Sequence, residues 1–165
     1  MGRIMGDPNE LRVVNIRMVR EPSLYSEQKI SCPEDAVRVI AKDLATYDRE
    51  VFAVLNMKTN GQIINLNICS MGTLDASMVS PREIFKSSIL SNAASFIAIH
   101  NHPSGSLQPS QEDRDVTKRL LECGELLNIR MLDHIIVAGG SAHVYSFKEH
   151  GDLDMLKPRH KEWER

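Results

Sequence analysis

Segments with the hydrophobic pattern of a strand and segments with the hydrophobic pattern of a helix follow one another along the chain, and together they predict an α/β fold. Short apolar runs at 50–57, 62–70 and 95–100 have the length and composition of β-strands. Residues 31–47 and 110–128 instead repeat apolar side chains every three or four positions, which is typical of a helix buried on one face. Strands and helices are intermixed in order, so we expect a single domain with a mixed β-sheet flanked by helices.

Turn residues predict how several of these elements connect. Asn60-Gly61 separates the first two apolar runs and predicts a hairpin with a tight primed turn, because Asn and Gly tolerate positive φ. Residues 129–140 and 142–147 predict two closing strands around a glycine turn. Loose alternation over 11–19 favours a further edge strand near the start.

Capping patterns predict where two helices begin. Ser31 with Glu34, and Ser80 with Glu83, have the Ser-x-x-Glu spacing in which each side chain can bind the other residue's backbone N–H. Both pairs precede helical periodicity, so we expect capping boxes at the two helix starts.

The chain divides into three parts on this pattern. Residues 1–30 are expected to form an N-terminal strand and loop extension, and 31–148 the folded domain. Residues 149–165 are charged and without periodicity, which predicts a frayed C-terminal tail.

Composition excludes some classes of function. Net charge is −2, without a block of Lys or Arg, so charge gives no support for nucleic-acid binding. No apolar run approaches the roughly 18 residues that a membrane span needs. The N-terminal residues lack the apolar centre of a signal peptide, so we expect a cytoplasmic protein without membrane contact.

The candidate chemistry lies where the third apolar run ends. His100 and His102 are two residues apart, so on a strand both imidazoles point to one face and Asn101 to the other. Pro103 ends the strand, and Asp113 lies one turn into the next helix. Two imidazoles and a carboxylate are the ligand set of a catalytic zinc that keeps its fourth position open.

Two simpler interpretations stay open on spacing alone. His100 and His102 could be partly exposed polar residues at a strand end. Ser110 and Asp113 have the spacing of a capping box, which explains both residues without a metal. A cap does not exclude a ligand, because the serine can cap the helix while the aspartate turns towards a metal.

The stretch HNHPSGSLQPSQED also resembles the JAMM motif of the JAB/MPN metalloprotease family, and residues 31–148 resemble its RadC branch. The resemblance implies a JAB/MPN-like fold in which His100, His102 and Asp113 bind Zn²⁺. It further implies that Ser110 steadies the metal-bound water or the oxyanion. It implies a glutamate general base at the start of an early strand, where Glu50 stands, with Glu83 as the rival.

The function implied is that of a zinc metallopeptidase or isopeptidase acting on a peptide or protein substrate through a metal-bound water. Two alternatives remain: a non-catalytic JAB-fold binding scaffold, and a RadC-like accessory factor in DNA repair or recombination. Longer RadC proteins carry an N-terminal helix-hairpin-helix region associated with DNA contact, whereas residues 1–30 predict a strand and a loop. Together with the charge, this makes nucleic acid the weaker expectation. Homo-oligomerisation is left open.

Overall fold

A computed structural model describes residues 17–27, 29–72 and 79–158. In these ranges five strands form one sheet in the order β2-β1-β3-β4-β5, with β3 and β4 parallel and the other neighbours antiparallel. This mixed sheet flanked by helices confirms the predicted fold class. The elements are α1 (Pro33–Leu44), β1 (Glu50–Met57), β2 (Ile63–Gly72), α2 (Pro81–Leu90), β3 (Ser95–His102), α3 (Gln111–Leu127), β4 (Arg130–Ala138), β5 (Val144–Ser146) and α4 (Asp152–Leu156).

Helices cover both faces of the sheet, and each face has its own hydrophobic cluster. Ile40 and Leu44 of α1 pack on one face against side chains of β1, β3 and β4. On the other face, Phe85 of α2, Leu120 of α3 and Leu153 of α4 pack in a second cluster. Because β3 is central and covered on both sides, it is apolar on both faces rather than alternating.

The connection between β3 and β4 determines where the candidate residues meet. Two parallel strands need a crossover, and α3 supplies it. The chain leaves the end of β3 through the loop at 103–110 and enters α3 directly. The first turn of α3 therefore lies beside the last residues of β3.

Both predicted capping boxes need correction. Pro33 takes the first position of α1, so the cap is Cys32 rather than Ser31, and the carboxylate of Asp35 rather than Glu34 accepts the N–H of Cys32 at 3.2 Å. At α2 the cap residue is Ser80 as predicted, but among the described contacts its side chain makes no capping hydrogen bond.

The hairpin between β1 and β2 forms as predicted, with a different turn. The N–H of Gly61 donates to the carbonyl of Lys58, and the N–H of Lys58 donates to the carbonyl of Gln62. Gly61 has φ +80°. This three-residue loop with a left-handed glycine replaces the two-residue primed turn, and it also provides a twist compatible with the strands.

The two ends of the chain were predicted less well. Residues 11–16 of the expected edge strand lie outside the described residues, and 17–19 form no strand. The expected frayed tail is wrong over 152–156, where α4 forms because Leu153 is buried and Asp152 pairs with Arg114 of α3 at 3.1 Å. No helix in the described ranges has the length and apolar character to cross a bilayer.

Asn101 holds the start of β1 against the end of β3. The β1·β3 pairing runs as far as Phe52 opposite His100. Beyond that pair, Asn101 Oδ1 accepts the N–H of Val51 at 2.7 Å and Asn101 Nδ2 donates to the carbonyl of Arg49 at 3.0 Å. The buried amide therefore replaces main-chain pairing and fixes the backbone on both sides of Glu50.

We expect Asn101→Ala to lower the free energy of unfolding by about 1–3 kcal/mol, because the buried N–H of Val51 loses its acceptor. Urea unfolding followed by circular dichroism measures the change. Glu122→Ala, at an exposed position of α3, is the matched control and should stay within about 0.5 kcal/mol of the unsubstituted protein. Equal stability of the two variants would contradict the role given to Asn101.

Candidate metal centre

The end of β3 and the first turn of α3 bring together His100, His102 and Asp113. In the part of the chain that the structure describes, they are the one group of three His, Cys, Asp or Glu side chains placed to hold a metal ion. The side chains of His100, His102 and Asp113 are 0%, 12% and 8% exposed, so the cluster is covered but reachable at His102. The sequence predicted this meeting of strand end and helix start, and the geometry confirms it.

The three side chains have the separations of metal ligands. His100 Nε2 lies 3.1 Å from His102 Nε2 and 3.0 Å from Asp113 Oδ1. His102 Nε2 lies 3.3 Å from Asp113 Oδ2. Ligands bound tetrahedrally at zinc bond lengths are about 3.3 Å apart. The cluster is thus close to the spacing that a small tetrahedral cation requires.

A backbone carbonyl sets the orientation of the His102 ring. His102 Nδ1 lies 3.0 Å from the carbonyl oxygen of Ser106, in the loop after β3. A carbonyl oxygen can only accept, so Nδ1 carries a hydrogen, and Nε2 is the nitrogen that a metal ion would bind in place of a proton. This hydrogen-bonded second nitrogen is the usual arrangement of a metal-ligating histidine.

The His100 ring contacts another histidine, His134, which lies outside the three-residue cluster. His100 Nδ1 lies 2.8 Å from Nε2 of His134 on β4, and His134 Nδ1 lies 2.6 Å from Oγ1 of Thr117 on α3. Phe52 stacks on His100 with the rings 7° from parallel. Burial holds the pKa of His134 well below its ordinary value, so this ring is neutral at pH 7.

Electrostatics keep the Asp113 carboxyl ionised. Burial by itself would raise its pKa, but hydrogen bonds from His100 and His102 outweigh burial and hold the pKa far below its usual range. The same hydrogen bond raises the pKa of His102 against the opposing effect of burial, and the nearby charge of Glu50 adds to the increase. A carboxylate with imidazole nitrogens is a donor set that suits zinc.

Ser110 caps α3, as the Ser-x-x-Asp spacing suggested. Its Oγ accepts the N–H of Asp113 at 3.1 Å, and its own N–H donates to Asp113 Oδ2 at 2.7 Å. The capping interpretation of Asp113 is confirmed, and it is compatible with the ligand interpretation, because one carboxylate caps the helix and faces both histidines. The Ser110 hydroxyl accepts in this bond and retains its own hydrogen for donation.

The structure places Glu50 and Glu83 differently. Glu50 begins β1, and continuing the β1·β3 register by two residues places it opposite His102. Its effect on the pKa of His102 agrees with this proximity. Glu83 lies in the first turn of α2, half-exposed, and pairs with Lys86 at 2.8 Å. The capping role expected for Glu83 is replaced by this ion pair.

Comparison with known proteins gives one consistent result. Residues 30–152 match the profile of the RadC-like JAB domain. A UPF0758 protein of Geobacillus thermodenitrificans is 42% identical over 135 residues, 82% of this chain and 59% of the relative. UPF0758 protein YsxA of Bacillus subtilis is 43% identical over 124 residues, 75% of this chain and 53% of the relative. The chain thus spans little more than half the length of these relatives.

The turn after His102 packs against Gly139, which gives a test of the site's rigidity. A Cβ at Gly139 would lie 2.8 Å from the carbonyl oxygens of His102 and Pro103. Because both contacts are backbone, Gly139→Ala must shift the end of β3. We expect zinc affinity, measured by competition with a chromogenic chelator, to fall about tenfold or more.

Gly61→Ala is the matched control for that substitution. Gly61 has φ +80° but open space around it, and it lies in the β1–β2 hairpin. It should lose stability through backbone strain and keep its zinc affinity. If Gly139→Ala binds zinc as tightly as Gly61→Ala does, the close packing at Gly139 is not needed to hold the site in position.

Proposed function

The chain belongs to the RadC-like JAB domain family, and on this basis we propose that it is a zinc-dependent hydrolase of the metallopeptidase or isopeptidase type. The observation that carries the proposal is the group of three ligand atoms 3.0, 3.1 and 3.3 Å apart, from His100, His102 and Asp113. Bound zinc would polarise a carbonyl and lower the pKa of water. Two imidazoles and one carboxylate would leave it one open position.

Glu50 is the residue proposed as general base. Its position at the start of β1, two residues before Phe52 in the last β1·β3 pair, and the effect of its charge on His102 support transfer of a proton from the attacking water to the leaving nitrogen. The amide of Asn101 binds the backbone of Arg49 and Val51, so the carboxylate sits on a fixed segment. A base held in this way needs little reorganisation before the reaction.

Ser110 is proposed to donate its hydroxyl hydrogen to the oxygen that becomes negative when the scissile carbonyl is attacked. Its Oγ is fixed by the N–H of Asp113, so the donor has a defined position beside the ligand carboxylate. Such a preorganised donor stabilises the transition state more than the substrate. The substrate class, a peptide or protein, rests on family membership.

The alternatives have weaker support. A scaffold function does not require a metal site, whereas here the side chains of His100, His102 and Asp113 converge and are largely covered. Nucleic-acid binding finds no support in a net charge of −2. A cytoplasmic location remains part of the proposal.

Metal analysis tests the proposed cofactor. Purified protein should contain about one zinc per chain, and His102→Ala should lose most of it, because two remaining side chains hold zinc poorly. His143→Ala removes an exposed histidine that is not part of the cluster and is the matched control. Equal zinc in the two variants, measured by atomic emission after gel filtration, would contradict the ligand assignment.

A second prediction separates the base from the ligands. Glu50→Gln retains the side-chain shape but cannot accept a proton at neutral pH, so it should keep its zinc and lose hydrolysis by about 10²–10⁴-fold. Cleavage of a peptide library, followed by mass spectrometry, supplies the substrate and the rate. Loss of zinc in Glu50→Gln would make Glu50 a ligand instead.

Glu83→Gln is the control for Glu50→Gln. It breaks an exposed ion pair with Lys86, so stability should change by less than about 1 kcal/mol and activity should remain near that of the unsubstituted protein. An inactive Glu83→Gln with zinc still bound, next to an active Glu50→Gln, would reverse the assignment.

A further inference from the structure

Three buried hydrogen bonds connect the backbone of one ligand residue to the ring of another. Thr117 Oγ1 lies 2.6 Å from the carbonyl oxygen of Asp113, one helical turn earlier. The same Oγ1 lies 2.6 Å from His134 Nδ1, and His134 Nε2 lies 2.8 Å from His100 Nδ1. Thr117, His134 and His100 are each 0% exposed, so water does not compete for these contacts.

Only one set of hydrogen positions satisfies the first two contacts. The carbonyl oxygen of Asp113 has no hydrogen, so Thr117 must donate its single hydroxyl hydrogen there. Thr117 Oγ1 can then only accept from His134, which places a hydrogen on His134 Nδ1. The His134 ring is fully buried, stacks on Phe147 and has no carboxylate among its described hydrogen-bond partners, so it is neutral and carries one N–H. His134 Nε2 is therefore an acceptor.

The direction of the last contact follows. With His134 Nε2 accepting, His100 Nδ1 must donate to it across 2.8 Å. This leaves His100 Nε2, 3.0 Å from Asp113 Oδ1 inside the cluster, as the nitrogen that a metal ion would bind in place of a proton. The hydroxyl of Thr117 thereby keeps a hydrogen on Nδ1 of His100, so that Nε2 is the nitrogen available to a metal.

We propose that Thr117 and His134 are positioning residues, whose directed hydrogen bonds fix the tautomer of His100 and present its Nε2 as a metal ligand. Neither residue binds the metal or touches a substrate. The inference rests on the proposed metal site. It differs from the arrangement at His102, whose Nδ1 hydrogen is held by the carbonyl of Ser106 in an exposed loop.

NMR of the imidazole rings tests the direction of the hydrogen bonds among Thr117, His134 and His100 without any substitution. Long-range ¹H–¹⁵N correlation spectra of the full chain, with and without zinc, show which ring nitrogen of each histidine is protonated. We expect His134 to carry its hydrogen on Nδ1, although the Nε2–H form is the commoner one in water. A hydrogen on His134 Nε2 would overturn the inference.

Substitution at Thr117 tests the consequence for metal binding. Thr117→Val retains the side-chain shape but removes the acceptor for His134, and Thr117→Ser restores it. Zinc affinity, measured by chelator competition, should fall about 10- to 100-fold in Thr117→Val and remain close to that of the unsubstituted protein in Thr117→Ser.

A merely structural role for Thr117 gives a different result. In that case Thr117→Val lowers the melting temperature while the His134 tautomer and the zinc affinity stay unchanged, and that outcome overturns the inference. If Thr117→Val does not fold, the position of the His134 hydrogen in the unsubstituted protein and the zinc affinity of Thr117→Ser still test the inference.

The inference and the proposed function can fail separately. If the unsubstituted protein binds no zinc, the proposed metal site is wrong, and the metal-free spectra then report only the hydrogen bonds of His134. If it binds zinc with His134 protonated on Nε2, the proposed metal site stands, but the positioning role of Thr117 and His134 is wrong.

Discussion

The carboxylate of Asp113 is the interaction on which the candidate site depends. One of its oxygens accepts the N–H of Ser110 and completes the start of α3, and its two oxygens face His100 and His102. The side chain thus ties the position of a helix to the end of a strand. Its backbone carbonyl also accepts the hydroxyl of Thr117. Loss of the Asp113 side chain would therefore disturb the helix start and the candidate site together, whereas the backbone carbonyl that accepts from Thr117 would remain.

The short segment 100–102 contributes to both faces of the sheet. His100 and His102 point to the side covered by α3, whereas the amide of Asn101 reaches the backbone of β1. Because side chains alternate along a strand, His100 and His102 face the candidate metal site, while Asn101 between them fixes the segment that carries Glu50. Because β3 is paired with β1 and β4 on its two edges, its backbone has little freedom to adjust.

Local patterns predicted much of the fold and which side chains meet in the candidate site. The bounds of β1 follow its apolar run, and the spacing of His100, His102 and Asp113 reflects strand and helix geometry. Contacts between distant elements were not predicted, because the meeting of Thr117 with His134 depends on how α3 crosses to β4. The helix α4 was missed for a similar reason, since one buried leucine against α3 leaves no periodic pattern.

The two imidazoles differ in what holds them, and this has a thermodynamic consequence. His100 is fixed by buried groups, whereas His102 depends on the carbonyl of Ser106 in an exposed loop. A molecule that binds this loop and moves Ser106 would remove the acceptor for His102 Nδ1. Loop binding and metal affinity are therefore linked functions, and each must change the other by the same factor. Of the two imidazoles, His102 is the one through which the surroundings of the site can adjust its affinity.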